Sequence, residues 1–189
     1  MLQKSSSDVI INIMIAPDDR YKEFWQYLSQ EQKDLILEGQ YLMNDVIRNN
    51  VYRFKDYSFL VFPFAKAYEG FLKQLFKDIK FISHLDYISD HLRLGKLMSP
   101  NLEIKLGGRS LYRKMKDTVS SEFAEAVWST WKLGRNQIFH YFPHNTKAIS
   151  FEEAEKIIGR IIETMEEAYI KLNPKSKAQM SNQIQNSNE

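Results

Sequence analysis

Arg135 and His140 stand at a fixed spacing in the run Arg135-Asn136-Gln137-Ile138-Phe139-His140, and their types suit the chemistry of a phosphodiester. A guanidinium is a permanently charged planar fork matched to phosphate oxygens, and an imidazole takes up and gives back a proton near neutral pH. Together they can hold a phosphate, activate an adjacent ribose 2′-hydroxyl and protonate the departing 5′-oxygen, which is metal-free RNA cleavage. Asn136 adds a hydrogen-bonding side chain beside them.

The element that must position these groups is a helix expected from about Ser121 to Tyr141, with Pro143 ending it. On an ideal helix of about 100° per residue, Ala124, Trp128, Trp131, Arg135, Ile138 and Phe142 share one stripe. Glu125, Ser129, Lys132, Asn136 and His140 form the opposite, polar one. Arg135 therefore falls within an apolar face, where a charge needs a carboxylate, a phosphate or a subunit interface. It also projects about 140° away from His140. Bringing both onto one phosphate requires either a distortion of the helix, for which Gly134 is the candidate, or the same helix from a second subunit. A homodimer is the favoured solution.

The rest of the chain reads as further helices. Val9 to Ile15, ended by Pro17, is a short N-terminal extended segment. Asp18 or Asp19 can cap a helix carrying Phe24, Trp25 and Leu28, and Ser29 with Gln32 forms a capping box for a helix reaching about Asn50. From Phe59 to Ile79 the positions Val61, Ala65, Tyr68, Leu72, Leu75 and Ile79 make one apolar stripe, with Pro63 expected in the first turn. Residues 83–108, with Gly95, Pro100 and Gly107-Gly108, read as short helices and loops. Ser150 and Glu153 form a second capping box, opening a helix whose stripe runs through Ala154, Ile158, Ile161, Met165, Ala168 and Leu172. The pattern predicts an all-α chain folded as an antiparallel helical bundle. The expected divisions are an N-terminal part at 1–57, a helical core at 58–173 and a polar, disordered tail at 174–189.

Composition narrows the function classes. The 189 residues are 43% hydrophobic and 13% aromatic, enough for a packed core. A net charge of +2 gives no general attraction to nucleic acid, so any RNA contact must be a local patch. The absence of cysteine excludes disulfides, thiolate zinc sites and thiol nucleophiles and fits the cytoplasm. No signal peptide or membrane span is evident in the sequence, and no cofactor is implied. Local candidates for RNA contact are Lys132, Tyr141 as a stacking ring, and Arg109 and Arg113 in the basic segment that also holds Lys105, Lys114 and Lys116. Lys73, Lys77 and Lys80 form another basic group; a solvated helix face is the common explanation for both.

An R-x(4 to 6)-H motif in a helical domain, with Asn136 after Arg135 and His140 closing it, resembles the HEPN superfamily. Within it the chain is similar to the catalytic and dimerising domain of the RnlA (RNase LS) type toxins, on the stretch Ala67-Tyr68-Glu69-Gly70-Phe71-Leu72-Lys73 upstream of the motif. The resemblance implies a homodimer whose two motif helices build one composite site for metal-independent RNA cleavage, held in check by a cognate antitoxin. It also implies that Glu69 joins Arg135 and His140 as a catalytic residue. The chain departs from a full toxin of that type in lacking the large N-terminal modules, which bear on substrate selection and antitoxin contact.

Other readings stay open. Glu69 can form an ordinary surface ion pair with Lys73. His140 and His144 have a zinc-like H-x-x-x-H spacing, but Pro143 breaks the helix that would align them. In the HEPN toxins paired with nucleotidyltransferase antitoxins the motif extends to H-x-Y, and Phe142 occupies that Tyr position here. A HEPN-like domain that binds RNA, nucleotide or protein without cleaving, and a helical adaptor built on Trp128 and Trp131, are the alternatives.

Overall fold

The structure, a computed structural model, describes residues 19–49, 52–136, 138–140 and 143–173. Among these residues there is no β-strand, and the chain is all-α. The α-helices are α1 (Asp19–Tyr27), α2 (Gln30–Asn49), α3 (Ser58–Asp78), α4 (His84–Ile88), α5 (Leu94–Leu97), α6 (Glu103–Leu106), α7 (Leu111–Thr118), α8 (Ser121–Trp131) and α9 (Phe151–Leu172). The expected extended segment at Val9 to Ile15 and the polar tail from residue 174 lie outside the described residues.

Local sequence explains where the long helices start. The Gln32 N–H donates to Ser29 Oγ and the Ser29 N–H donates to Gln32 Oε1, both at 3.3 Å, which closes the capping box of α2. The same reciprocal pair opens α9, where the Ser150 N–H reaches Glu153 Oε2 at 2.7 Å and the Glu153 N–H reaches Ser150 Oγ at 3.2 Å. Asp56 starts α3, with its Oδ1 accepting from the Ser58 N–H at 3.0 Å and from the Ile149 N–H at 3.3 Å. The Tyr57 N–H in turn donates to the Ile149 carbonyl at 3.0 Å. One carboxylate thereby caps α3 and ties it to the segment leading into α9.

The chain forms two compact units, one from residues 1–70 and 130–163 and the other from 71–129 and 164–189. The division falls inside α3, α8 and α9, so neither unit is a continuous stretch of sequence. In the first, Phe24, Leu28, Ile36, Met43, Leu60, Val61, Phe64, Tyr68, Trp131, Ile158 and Ile161 are buried. In the second, Phe71, Leu72, Leu75, Phe76, Leu94, Met98, Leu111, Met115, Phe123, Val127, Met165 and Leu172 are buried. Of the stripes expected from sequence, Val61, Ala65, Tyr68, Leu72 and Leu75 of α3 and all six positions of α9 are buried, whereas Ile79 and Trp128 are only half-buried. Removal of apolar side chains from water is the main favourable term in folding.

Two expectations change. Pro63 lies beyond the first turn of α3, so that helix gives up an internal hydrogen bond there. At this point α2 and α3 approach closely within the first unit. A Cβ built on Gly39 of α2 would fall 2.9 Å from Pro63 Cγ and 2.5 Å from Phe64 Cε2, so the proline ring and the buried phenyl ring occupy the space a side chain would need. The second change concerns the helix expected to continue to Tyr141. It is α-helical only to Trp131, and Lys132–Asn136 follow as a π-helical turn.

Candidate functional site

The π-turn decides how the motif is presented. Gly134 is buried within it, and a Cβ at that position would lie 2.9 Å from Ile161 Cδ1 of α9. Absence of a side chain lets the turn sit against α9, and a π-turn breaks the α-helical periodicity of the residues that follow. Gln137 is not described, Phe139 donates its N–H to the Arg135 carbonyl at 3.1 Å, and His140 follows in a bend, outside the helix and exposed. The two stripes of an ideal helix, and the angle of about 140° between Arg135 and His140, do not apply across this turn.

Arg135 is consequently not buried in an apolar face. Its side chain is 45% exposed, and its Nε stands 3.1 Å from Oε2 of Glu69, whose side chain is 24% exposed. Glu69 comes from α3 and Arg135 from the turn after α8, both in the first compact unit. The guanidinium carbon lies 5.1 Å from the centroid of the Trp131 ring, a cation–π arrangement. The carboxylate and the ring therefore set the direction of the guanidinium fork.

Beneath this pair the wall is buried and aromatic. Trp131 is 2% exposed and packs at 6.4 Å between centroids against Tyr68. Burial pushes the Tyr68 hydroxyl well above the usual phenol range, and the charge of Arg160 opposes that shift. Arg160 also donates from Nε to Oγ1 of buried Thr130 at 3.1 Å. The indole Nε1 of Trp131 is buried with no hydrogen-bond acceptor among the described residues. Phe62 and Phe139, both substantially exposed, meet edge to face at 5.3 Å.

Of the residues singled out by sequence, Glu69 and Arg135 are brought into contact, Asn136 ends the π-turn half-buried, and Lys132 is exposed in that turn. Tyr141 and Phe142 lie outside the described residues. Arg109 and Arg113 belong to the second unit, where Arg109 stands 3.7 Å from Asp86 and the Arg113 Nε 3.4 Å from Glu103. The Lys116 ammonium also donates to Glu103, at 2.5 Å, and this bond holds the Glu103 carboxyl below the usual range. The basic segment is thus partly neutralised by carboxylates that sequence spacing did not reveal. His144 sits in the turn Pro143–Asn145 with a left-handed φ of 60°. Among the described residues no group of three or more His, Asp and Glu side chains is placed to hold a metal ion, and no helix is long and apolar enough to cross a membrane. Sequence reasoning did not find Thr130 and Arg160, whose types give no signal of pairing across thirty residues. Comparison with known proteins finds no matching family model, no matching curated protein and no matching solved structure.

Proposed function

We propose that the chain is a metal-independent endoribonuclease of the HEPN type, acting as a homodimer on RNA. The observation that carries this reading is the ion pair between Glu69 and Arg135, seated on Trp131. The site combines a carboxylate, an oriented guanidinium and, five residues on, a solvent-accessible imidazole. Glu69 engages Nε of Arg135, and in the proposed complex the guanidinium fork donates to two phosphate oxygens. In the reaction the 2′-oxygen attacks the adjacent phosphorus while its proton passes to a base. The bond from phosphorus to the 5′-oxygen then breaks, and an acid protonates the leaving oxygen. The products carry a 2′,3′-cyclic phosphate and a 5′-hydroxyl.

His140 serves as the general base or acid, Arg135 stabilises the charge gathering on the phosphorane oxygens, and Asn136 hydrogen-bonds the strand or the imidazole. Glu69 orients Arg135 or is a proton partner in the reaction. In this proposal the helices form an antiparallel bundle, two motif segments face each other across the dimer, and Lys132 and Tyr141 contact the RNA. A cognate antitoxin restrains the activity, and the setting is cytoplasmic.

The test is incubation of the chain with total RNA in EDTA beside a His140→Ala variant, followed by analysis of fragment ends. Cleavage only by the parent chain, leaving cyclic phosphate ends, is the expected outcome. Equal cleavage by both proteins would defeat the assigned chemistry. The same ion pair also favours a second reading, a non-catalytic RNA- or nucleotide-binding module, because a guanidinium already paired with a carboxylate can be purely structural. A folded dimer that binds RNA without cutting it would establish that reading instead.

A further inference from the structure

The second compact unit gathers two basic parts of the sequence around one concavity. Lys77 lies in the last turn of α3 and Lys80 just after it, whereas Arg109 and Lys114 belong to the turn before α7 and to α7 itself. With Asp86 and His84 they line a cavity of about 610 Å³. Four cations therefore face one carboxylate. That carboxylate is already engaged: Asp86 Oδ2 accepts from the Ser83 hydroxyl at 2.7 Å and from the Ser83 N–H at 3.0 Å, and Oδ1 lies 3.7 Å from Arg109. Lys77 pairs with Asp78 at 3.1 Å, and Lys114 donates to the Phe81 carbonyl at 2.6 Å. Lys80 makes no ion pair among the described residues.

Lys80 is also the residue with the least local reason to be a lysine. Its φ of 62° places it in the left-handed region. Its N–H donates to the Lys77 carbonyl at 3.0 Å, and the next N–H, of Phe81, donates to the Phe76 carbonyl at 2.7 Å. This is the Schellman closure of a helix, in which the left-handed position is normally glycine. A side chain there is strained, and strain that survives at the rim of a charged concavity points to use of the side chain.

We propose that this cavity binds a small ligand carrying two or more linked phosphates, of the kind found in pyrophosphate and in nucleoside di- and triphosphates. Asp78 and Asp86 already face Lys77 and Arg109, so Lys80 and Lys114 are the cations without a carboxylate partner among the described residues, and a linked phosphate chain can present a separate phosphate to each of them. A concave wall with an excess of positive charge focuses the potential on its occupant. The volume is that of a small-molecule site. The cations converge on a single cavity, which suits a compact phosphate chain rather than the spaced phosphates of a strand. The proposal does not depend on the nuclease reading, whose catalytic candidates Glu69, Arg135, Asn136 and His140 belong to the other compact unit, although Arg109 is also a candidate for RNA contact.

Calorimetric titration of the full chain with pyrophosphate, ATP, inorganic phosphate and a short single-stranded RNA bearing a 5′-hydroxyl provides the test. Pyrophosphate and ATP are expected to bind at least tenfold more tightly than inorganic phosphate and to weaken as salt is raised. Lys80→Gly is expected to weaken pyrophosphate binding several-fold while raising Tm by roughly 2–4 °C, because glycine relieves the backbone strain as the charge is removed. A merely structural lysine would not couple higher stability to lower affinity. Lys114→Gln, checked by circular dichroism, is expected to weaken binding as well. Unchanged pyrophosphate affinity in folded Lys80→Gly, or inorganic phosphate binding as tightly as pyrophosphate, would overturn the proposal. Displacement of pyrophosphate by the RNA at lower concentration than by ATP would overturn it too, and would assign the surface to a strand backbone.

Discussion

Substituting alanine at two helical glycines separates packing from backbone propensity in the unit that carries the candidate site. Both Gly39→Ala in α2 and Gly159→Ala in α9 gain helix propensity of about 0.8–1.0 kcal/mol. At Gly159 nothing lies within 4 Å of the added Cβ, so the whole gain is expected to appear as stabilisation. At Gly39 the Cβ meets Phe64 Cε2 at 2.5 Å, Phe64 Cζ at 2.9 Å and Pro63 Cγ at 2.9 Å. Neither ring can swing aside, since Phe64 is fully buried and the proline ring is fixed to the backbone of α3. Overpacking of this kind costs about 1–3 kcal/mol, and with two immobile rings the upper part of that range applies. Gly39→Ala is therefore expected to lose about 1–2 kcal/mol net, and the two variants should differ by roughly 2–3 kcal/mol. Urea unfolding with unchanged m-values measures this directly, and the corresponding Tm values should diverge by several degrees. Equal shifts in the two variants, or a stabilised Gly39→Ala, would refute the close approach of α2 and α3 as the reason for the glycine.

A double-mutant cycle of Glu69→Gln and Arg135→Ala should return a stability coupling of only about 0.2–1 kcal/mol, because both side chains are partly exposed and solvent screens the pair. Under the proposed chemistry Arg135→Ala nevertheless lowers cleavage by about a hundredfold or more; a coupling above about 3 kcal/mol with cleavage retained would mean a structural pair. Hydrogen bonds from Ser83 hold the Asp86 carboxyl below its usual range. Its contribution to stability is thus complete above the unfolded value near 4 and is lost as pH falls through the lower folded value. Asp86→Asn should flatten the acid limb of the urea midpoint against pH, and an unchanged limb would contradict the assignment. Burial raises the Tyr68 hydroxyl, so the folded chain keeps it protonated and loses stability as pH rises above the unfolded value of about 10. Absorbance at 295 nm should show tyrosine ionisation that appears only on unfolding and that decreases in Tyr68→Phe.

The helical character, the two capping boxes and the apolar stripes were legible in the residues because they depend on spacing within a few turns. Ser29 with Gln32 and Ser150 with Glu153 close their boxes through neighbours three apart, and periodic apolar positions such as Tyr68, Leu72 and Leu75 are buried wherever the helix packs. Residues 83–108 were the least legible part of the chain: their glycines and proline indicated short helices and loops, which the structure has there, but not the bounds of any element. Arg135 could be recognised as needing a counter-charge, and Glu69 could be named as its companion only through a family resemblance.

Spacing could not show the π-turn at Lys132–Asn136, since its geometry depends on Gly134 meeting Ile161 of a helix far along the chain. That turn makes Arg135 partly exposed instead of buried and leaves His140 outside the helix. Nor could spacing show that Arg113 and Lys116 share Glu103, or that Lys77 and Lys80 face Arg109 and Lys114 around one cavity. Backbone hydrogen bonding and periodicity are local and can be read along the chain. The neutralisation, direction and exposure of charged side chains depend on which distant groups packing brings beside them, and here only the tertiary structure decided that.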